Sequence, residues 1–373
     1  MGLFDFRKKH TKNIQNPQAS DALVRGDADV ITSDEEAQLF TKTIGDAYVQ
    51  ARQLELTEEE WNSMSITDGA EMWRLYCWYH SRVIPDDTEE KRSRSREKMN
   101  RLGAVLAAKI LKAEEVYCLY NKRTGEPHLF SNTVKQEEGY LCTPPDIRIF
   151  TKAYAGYQGK NYPETLFEMK KIEKGADGKG IENFLGECFY LNGAQGVEIN
   201  GGQTAISAEM LVAPPDFSGV QQISVPVMNP DLMRWMLLMA QFAGTETEDE
   251  KLIYKLYYRF MSQEIVKAKF LVPMKPGKDF PETAGGAGNI TLKSGAEFMV
   301  ATMKGKYDRD AVIMYTDWKR LRQCYDGWNG SIMTLAQIID VYDVAVNPTD
   351  HPQLGFYIGR DMYEDIMKYT EKE

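Results

Sequence analysis

The chain is poor in the residues from which most reactive sites are built: it has four histidines and five cysteines in 373 residues. Cys77, Cys118, Cys142, Cys188 and Cys324 form an odd set with no two close together. That excludes zinc sites of the C-x2-C type and a dense disulfide framework, and it points to a reducing compartment. Long apolar runs are missing as well. The longest, from Leu232 to Gly244, contains Arg234 and falls well short of the roughly 18 residues that a membrane span requires. The opening MGLFDFRKKHTKN holds no secretory apolar segment, and Phe6 stands where N-myristoylation of Gly2 would need Ser or Thr. There is no excess of positive charge. With 55 acidic against 45 basic residues the net charge is -10, spread along the chain, and such a field repels nucleic acid and anionic lipid. The expectation is a cytoplasmic protein without a cofactor, with neither nucleic acid nor membrane as partner.

What is present suffices for more than one core, with 43% hydrophobic and 11% aromatic residues. Residues 1–32 are polar and without period, and are expected to be a mobile tail. A helical region is expected over 33–113. Ser33 with Glu36 and Thr57 with Glu60 read as capping boxes. A third helix is expected after Asp68, with Met72, Tyr76 and Tyr79 on one face; a fourth from near Asp87 carries Met99, Leu102, Leu106 and Ile110. From Val116 the pattern alternates, and a hairpin is expected around the turn Asn121 to Pro127. Further strands, a helix from Ile181 and the strand GVEI with its glycine turn complete a module over 114–213. After the Pro/Gly boundary APPDFSG comes a helical connector over 214–267. It opens with Asn229 as cap and Pro230 in the first turn, and a second helix follows from about Thr247. KFLVPM then opens another strand-rich module over 268–373.

The two modules read as diverged copies. EVYCLYNK corresponds to AKFLVPMK, LCTPPDIRIFT to FMVATMKGKYDRDAVIMYT, ENFLGECFYLN to TLAQIIDVYDV, and GVEINGGQTAISAEM to DVAVNPTDHPQLGFYIGRDM. The fold class is therefore α+β (mixed α/β), with two tandem modules, and an ancestral dimer surface reused between copies would make them face each other as a pseudo-dimer. KFLVPM, GAEFMVA, VIMYTDWKRL and VAVNP…LGFYIGRDMYEDI together resemble the N-terminal domain of the SseB (enhanced serine sensitivity) family. The resemblance covers the second module well and the first more weakly. It implies a small α/β fold and no settled activity, and by the family's name alone an enzyme or regulatory subunit in serine or sulfur amino-acid metabolism.

Several motifs invite sharper readings. His128 between Cys118 and Cys142 suggests a metal or nucleophile site, but the spacing fits a strand cysteine and a surface histidine better. EKGADGKGIENF resembles half of an EF-hand, yet Gly175 and Phe184 occupy ligand positions, so a β-to-β loop is expected. GGAGN at Gly285 to Asn289 lacks the flanking strand and helix of a phosphate cradle and reads as a hairpin tip. The run EEKRSRSREKMNR interleaves acids with its arginines and reads as a solvated helix face. LMRWMLLMAQF reads as core, with an adaptable partner surface as the alternative. The features that recur in equivalent places are the turns Asn200-Gly201-Gly202 and Asn347-Pro348, with Thr151 and Thr316 at neighbouring strand ends. They are the candidate binding residues of a non-catalytic binding or scaffold protein for a protein partner or a small metabolite; ordinary turn chemistry is the plainer account of the same residues. An immunity or secretion-associated adaptor is a further alternative.

Overall fold

The computed structural model describes residues 31–137, 139–202, 204–221, 225–242, 247–277, 298–305, 309–351 and 353–370. The glycine run 285–289 and nearly all of the tail over 1–32 lie outside them.

The architecture is mixed α+β. Helix α1 (Asp34–Ile44) starts where Ser33 Oγ accepts the Glu36 amide at 3.2 Å, and it runs on into a π turn, Gly45–Gln50. Helix α2 (Glu58–Ser63) has the full Thr57–Glu60 capping box. Helix α3 (Ile66–Arg82) begins before Asp68 rather than after it, because Ser65 Oγ accepts the Asp68 amide at 3.0 Å and takes the cap position. Helix α4 (Glu89–Lys112), capped by Thr88, buries Leu102, Leu106 and Ile110. Its arginines pair outward, Arg92 and Arg96 with Glu89 and Arg101 with Glu58, as a solvated face does.

The first module contains β1 (Glu115–Asn121), the hairpin β2 (Thr133–Gln136) with β3 (Gly139–Cys142), β4 (Asp146–Phe150), α5 (Lys152–Gly159), β5 (Phe167–Glu173), α6 (Gly180–Tyr190), β6 (Gly196–Ile199), β7 (Ala205–Ser207) and α7 (Ala208–Leu211). Its main sheet runs β5-β1-β4-β6-β7, with β4 and β6 parallel and the other pairs antiparallel. The hairpin expected around Asn121 to Pro127 does not form as a ladder. The returning chain touches β1 through one bridge, Tyr120 to Pro127, while β1 pairs along its whole length with β5. Proline offers no amide to a ladder, and further along the same edge of β1 Tyr117 and Cys118 pair with β4, while β5 occupies the opposite edge. The loop after β5 leads into α6, so it is a β-to-α connection and not the β-to-β loop expected.

In the connector, α8 (Pro230–Gln241) buries Leu232, Met233, Met236, Leu237, Leu238 and Met239, which makes its methionine-rich face core. Helix α9 (Glu248–Ile265) follows from a Thr247–Glu250 capping box and packs on α8, with Trp235 stacked on Phe260.

The second module has β8 (Phe270–Pro276), β9 (Phe298–Val300), β10 (Thr302–Lys304), β11 (Asp310–Met314), α10 (Trp318–Cys324), β12 (Asn329–Met333), β13 (Asp343–Val346), β14 (Phe356–Ile358) and α11 (Arg360–Met367). Its sheets run β12-β8-β9 and β10-β11-β13-β14. An antiparallel bridge joins them, with Leu271 and Tyr315 exchanging two backbone hydrogen bonds of 2.8 Å. Across that bridge the order is β12-β8-β11-β13-β14, with β11 and β13 parallel and the rest antiparallel. Strand order and sense are those of β5-β1-β4-β6-β7. The counterpart of α6 is a single 3-10 turn, Leu335–Gln337.

One continuous core runs from Ile31 to Ile366, with a satellite cluster of Val227, Leu271, Ala301, Ile313, Tyr315 and Leu321 in the second module. Residues 33–113 pack against the first module in one shared core. Thr67 Oγ1 lies 3.0 Å from Thr151 Oγ1, and the Ile31 amide donates to Ala153 at 2.8 Å. The contact between modules joins unlike surfaces rather than two copies of one. Helix α10 sits on the first module's Asn121–Pro127 turn and on the end of α6, whereas α5, the counterpart of α10, packs under the N-terminal helices. No described helix is long and apolar enough to cross a membrane.

Candidate functional site

The recurrent Thr and Asn residues are brought together in pairs, each pair inside its own module. Thr151 follows β4 and Asn200 follows the parallel neighbour β6. Asn200 Oδ1 accepts from the Thr151 amide at 2.9 Å and from its hydroxyl at 3.3 Å. The second module repeats this geometry: Asn347 Oδ1 accepts from the Thr316 amide at 3.0 Å and its hydroxyl at 3.2 Å. Both asparagines are left-handed, with φ of 55° and 49°, a conformation Asn tolerates better than most residues. Each also hands its own amide to the other strand, Asn200 to Ile149 at 2.9 Å and Asn347 to Met314 at 2.8 Å. The motif thus clasps the ends of two parallel strands. Thr151, Thr316 and Asn347 are buried and facing protein. Gly201 turns the chain over Gln158, Gly202 lies beside Arg74, and the Pro348 carbonyl accepts from Tyr315 Oη at 3.3 Å. None of the seven residues lines the cleft described next.

That cleft, of about 240 Å³, lies between the first module's sheet and the connector. Alternation along β4 and β6 creates it. Ile147, Ile149, Val197 and Ile199 turn to one buried face, and Asp146, Arg148 and Glu198 turn to the other. Helices α8 and α9 close over that polar face with Leu238, Gln241, Phe242 and Tyr257. The β1–β2 connection supplies His128 to Asn132, and Thr143 completes the rim. Gln241 fixes this connection: its Oε1 accepts the Leu129 amide at 3.0 Å and its Nε2 donates to Pro127 at 3.3 Å.

The charges in the cleft are unequal in their partners. Arg148 and Glu198 face each other in the β4–β6 register and pair at 2.5 Å. Arg148 Nη1 donates to Tyr162 Oη at 2.8 Å, and its guanidinium lies 3.8 Å from the centre of the Phe130 ring. Asp146 is different. Its carboxylate has no hydrogen bond or ion pair among the described residues, and Gly196 stands opposite it on β6, where a Cβ would come within 2.8 Å of Oδ1. Burial, and then the Glu198 charge, push the Asp146 carboxyl up to about 7 against the pull of Arg148. His128 is not the surface histidine expected. It packs edge-on to Phe130 and Phe167, with ring centres 4.5 and 5.0 Å away. Burial, helped by Arg148, lowers its pKa to about 4, and Nδ1 of the neutral ring accepts from Asn121 Nδ2 at 3.3 Å.

Nothing in the composition marked Asp146, Arg148 and Glu198, which sit in the strands DIRIF and GVEI. The one available signal was charge at alternate positions of otherwise apolar strands, a pattern that ordinary exposed strand faces share. Burial pushes the thiols of Cys77, Cys118 and Cys188 up, Cys77 to about 12, which withdraws them from nucleophilic use. Among the described residues no group of three or more His, Cys, Asp or Glu side chains is placed to hold a metal ion. Compared with protein-family models, curated proteins and solved structures, the chain matches none of them.

Proposed function

We propose that this chain is a non-catalytic binding protein of the cytoplasm, built from two copies of an SseB-like module, and that it takes a small metabolite in the cleft between the first module and the connector. The observation that carries the reading is a half-enclosed space lined on one side by Asp146, Arg148 and Glu198 and on the other by Phe242 and Tyr257. Small-molecule sites place fixed polar groups beside apolar ones, and this lining has both. The volume suits a ligand of about ten non-hydrogen atoms. The recurrence of strand order and of the Thr–Asn clasp supports duplication, with the clasps holding the sheets and the first copy carrying the site. The test is a thermal-shift screen of small metabolites against the protein and against Asn132→Trp, which puts a bulky ring at the exposed rim. A ligand that stabilises the parent and not the variant supports the reading; ligands that stabilise both equally place binding elsewhere.

A second reading, recognition of a protein partner, is favoured by the exposed apolar residues Met299, Val300, Met303 and Ile332 on strands of the second module. A stoichiometric partner released by Ile332→Lys would support it.

A further inference from the structure

The lining of the cleft narrows the ligand to one chemical class. Among the described residues its only cationic side chain is Arg148, whose charge is balanced by Glu198 at Nε while Nη1 donates to Tyr162 and the flat face is covered by Phe130. A carboxylate or phosphate on the ligand would therefore meet a cation whose charge Glu198 already balances, and would also face the carboxylates of Asp146 and Glu198. A cation meets the opposite situation. Asp146 is a carboxylate without any partner among the described residues, held in place by the strand and given room by Gly196. Every charged or titratable group of the lining has a fixed role around it. Arg148 on its own strand and Glu198 on β6 satisfy each other, His128 on the β1–β2 connection is neutral, and Tyr257 on α9 has its hydroxyl 2.9 Å from Thr133 Oγ1. Helix α8 contributes only Leu238, Gln241 and Phe242. Beside the polar rim of Ser131, Asn132 and Thr143, the lining includes Leu129, Phe130, Leu238 and Phe242, which suit a short apolar body.

We propose that the cleft binds a small primary amine as its ammonium ion, seated on the Asp146 carboxylate with its apolar body against Phe130, Leu238 and Phe242. The inference rests on the small-metabolite reading above. It carries a linkage: the empty cleft holds Asp146 partly protonated at neutral pH, and a bound ammonium requires the carboxylate, so binding releases a proton and strengthens as pH rises through about 7.

The experiment is isothermal titration of the full chain with phenethylammonium, with the neutral isostere 2-phenylethanol and with the anion phenylacetate, at pH 6 and pH 8. The expected result is binding of the amine alone, up to about tenfold tighter at pH 8 than at pH 6, the limit for a carboxyl that titrates near 7. In Asp146→Asn, shown to be folded by circular dichroism, the amine should bind at least tenfold more weakly, with no pH dependence between pH 6 and 8. Asp146→Glu should retain part of the affinity. Tighter binding of the alcohol or the anion would overturn the ammonium assignment and leave the small-metabolite reading standing. Amine binding unaffected by Asp146→Asn would overturn the assignment as well. Failure of all three probes to bind, together with a metabolite screen in which Asn132→Trp behaves as the parent, would remove both.

Discussion

Asp146 and His128 should give the protein an unusual pH profile, because their shifts act in opposite directions on stability. The Asp146 carboxyl titrates near 7 in the fold against 3.8 as its ordinary value, so the folded state holds the extra proton between those limits. Its ionisation therefore costs stability as pH rises, and Asp146→Asn should be the more stable protein at pH 8, by on the order of 1 kcal/mol after solvent screening, with no difference below about pH 4. His128 titrates near 4 against 6.5, so the unfolded chain binds the proton first, and this group's contribution is lost as pH falls from about 6.5 to 4. His128→Phe should flatten that part of the acid limb in urea-unfolding midpoints measured across the range. The clasps are a separate case. Asn347→Ala removes the acceptor of both Thr316 bonds and leaves alanine in a left-handed turn, a loss of about 3 kcal/mol. Asn347→Gly keeps the turn and should lose less. Both comparisons are made by chemical denaturation, and an unchanged midpoint for the alanine variant would contradict the structural role. Asn and turn were legible in NGG and NP; the hydrogen bond to a threonine dozens of residues away was not, since it depends on two strands lying in parallel.

Elements differ in how well their sequences announced them. Helices whose ends are fixed by local bonds, α2 with Thr57 and Glu60 and α9 with Thr247 and Glu250, were readable because cap and partner are three residues apart. Partners of strands were less so: β1 looked like half of a hairpin, and it pairs with β5 from across the module. Where an element meets its neighbour the constraint can rest on one residue. Gly193, at φ 77°, ends the α6 loop against the start of α8, and a Cβ there would run into the Pro230 carbonyl oxygen and the Arg234 side chain. Arg234 Nε also donates to the Gly193 carbonyl at 2.9 Å. Gly193→Ala should therefore destabilise by about 2 kcal/mol or more, through both strain and a displaced connector, which calorimetric Tm would register.

At the level of the whole molecule the modules are locked together by Arg320, which is fully buried. Its guanidinium reaches Asp317 at 2.5 Å within α10, and Glu126 and Asn192 of the first module at 2.7 Å each, while Lys319 reaches Glu187 at 2.7 Å. Burial would raise the Glu126 carboxyl, and the Arg320 and Lys319 charges more than reverse it, holding it below its ordinary range. Removing the arginine alone takes the main counter-charge from two buried carboxylates, so Arg320→Met should cost about 3–5 kcal/mol in urea unfolding, and Arg320→Met with Glu126→Gln and Asp317→Asn should recover most of it. A triple variant as unstable as the single would mean that packing, not charge, holds the modules. The amino-acid sequence by itself determined the helices, the apolar faces and the recurrence of elements, because caps, alternation and periodicity act over a few residues. Only the tertiary structure decided that α8 and α9 cover the polar face of the first sheet, that Asp146 is left there without a partner among the described residues, and that Arg320 meets Glu126, since those contacts join residues that chain proximity does not relate and whose charges, in sequence, look like any solvated surface.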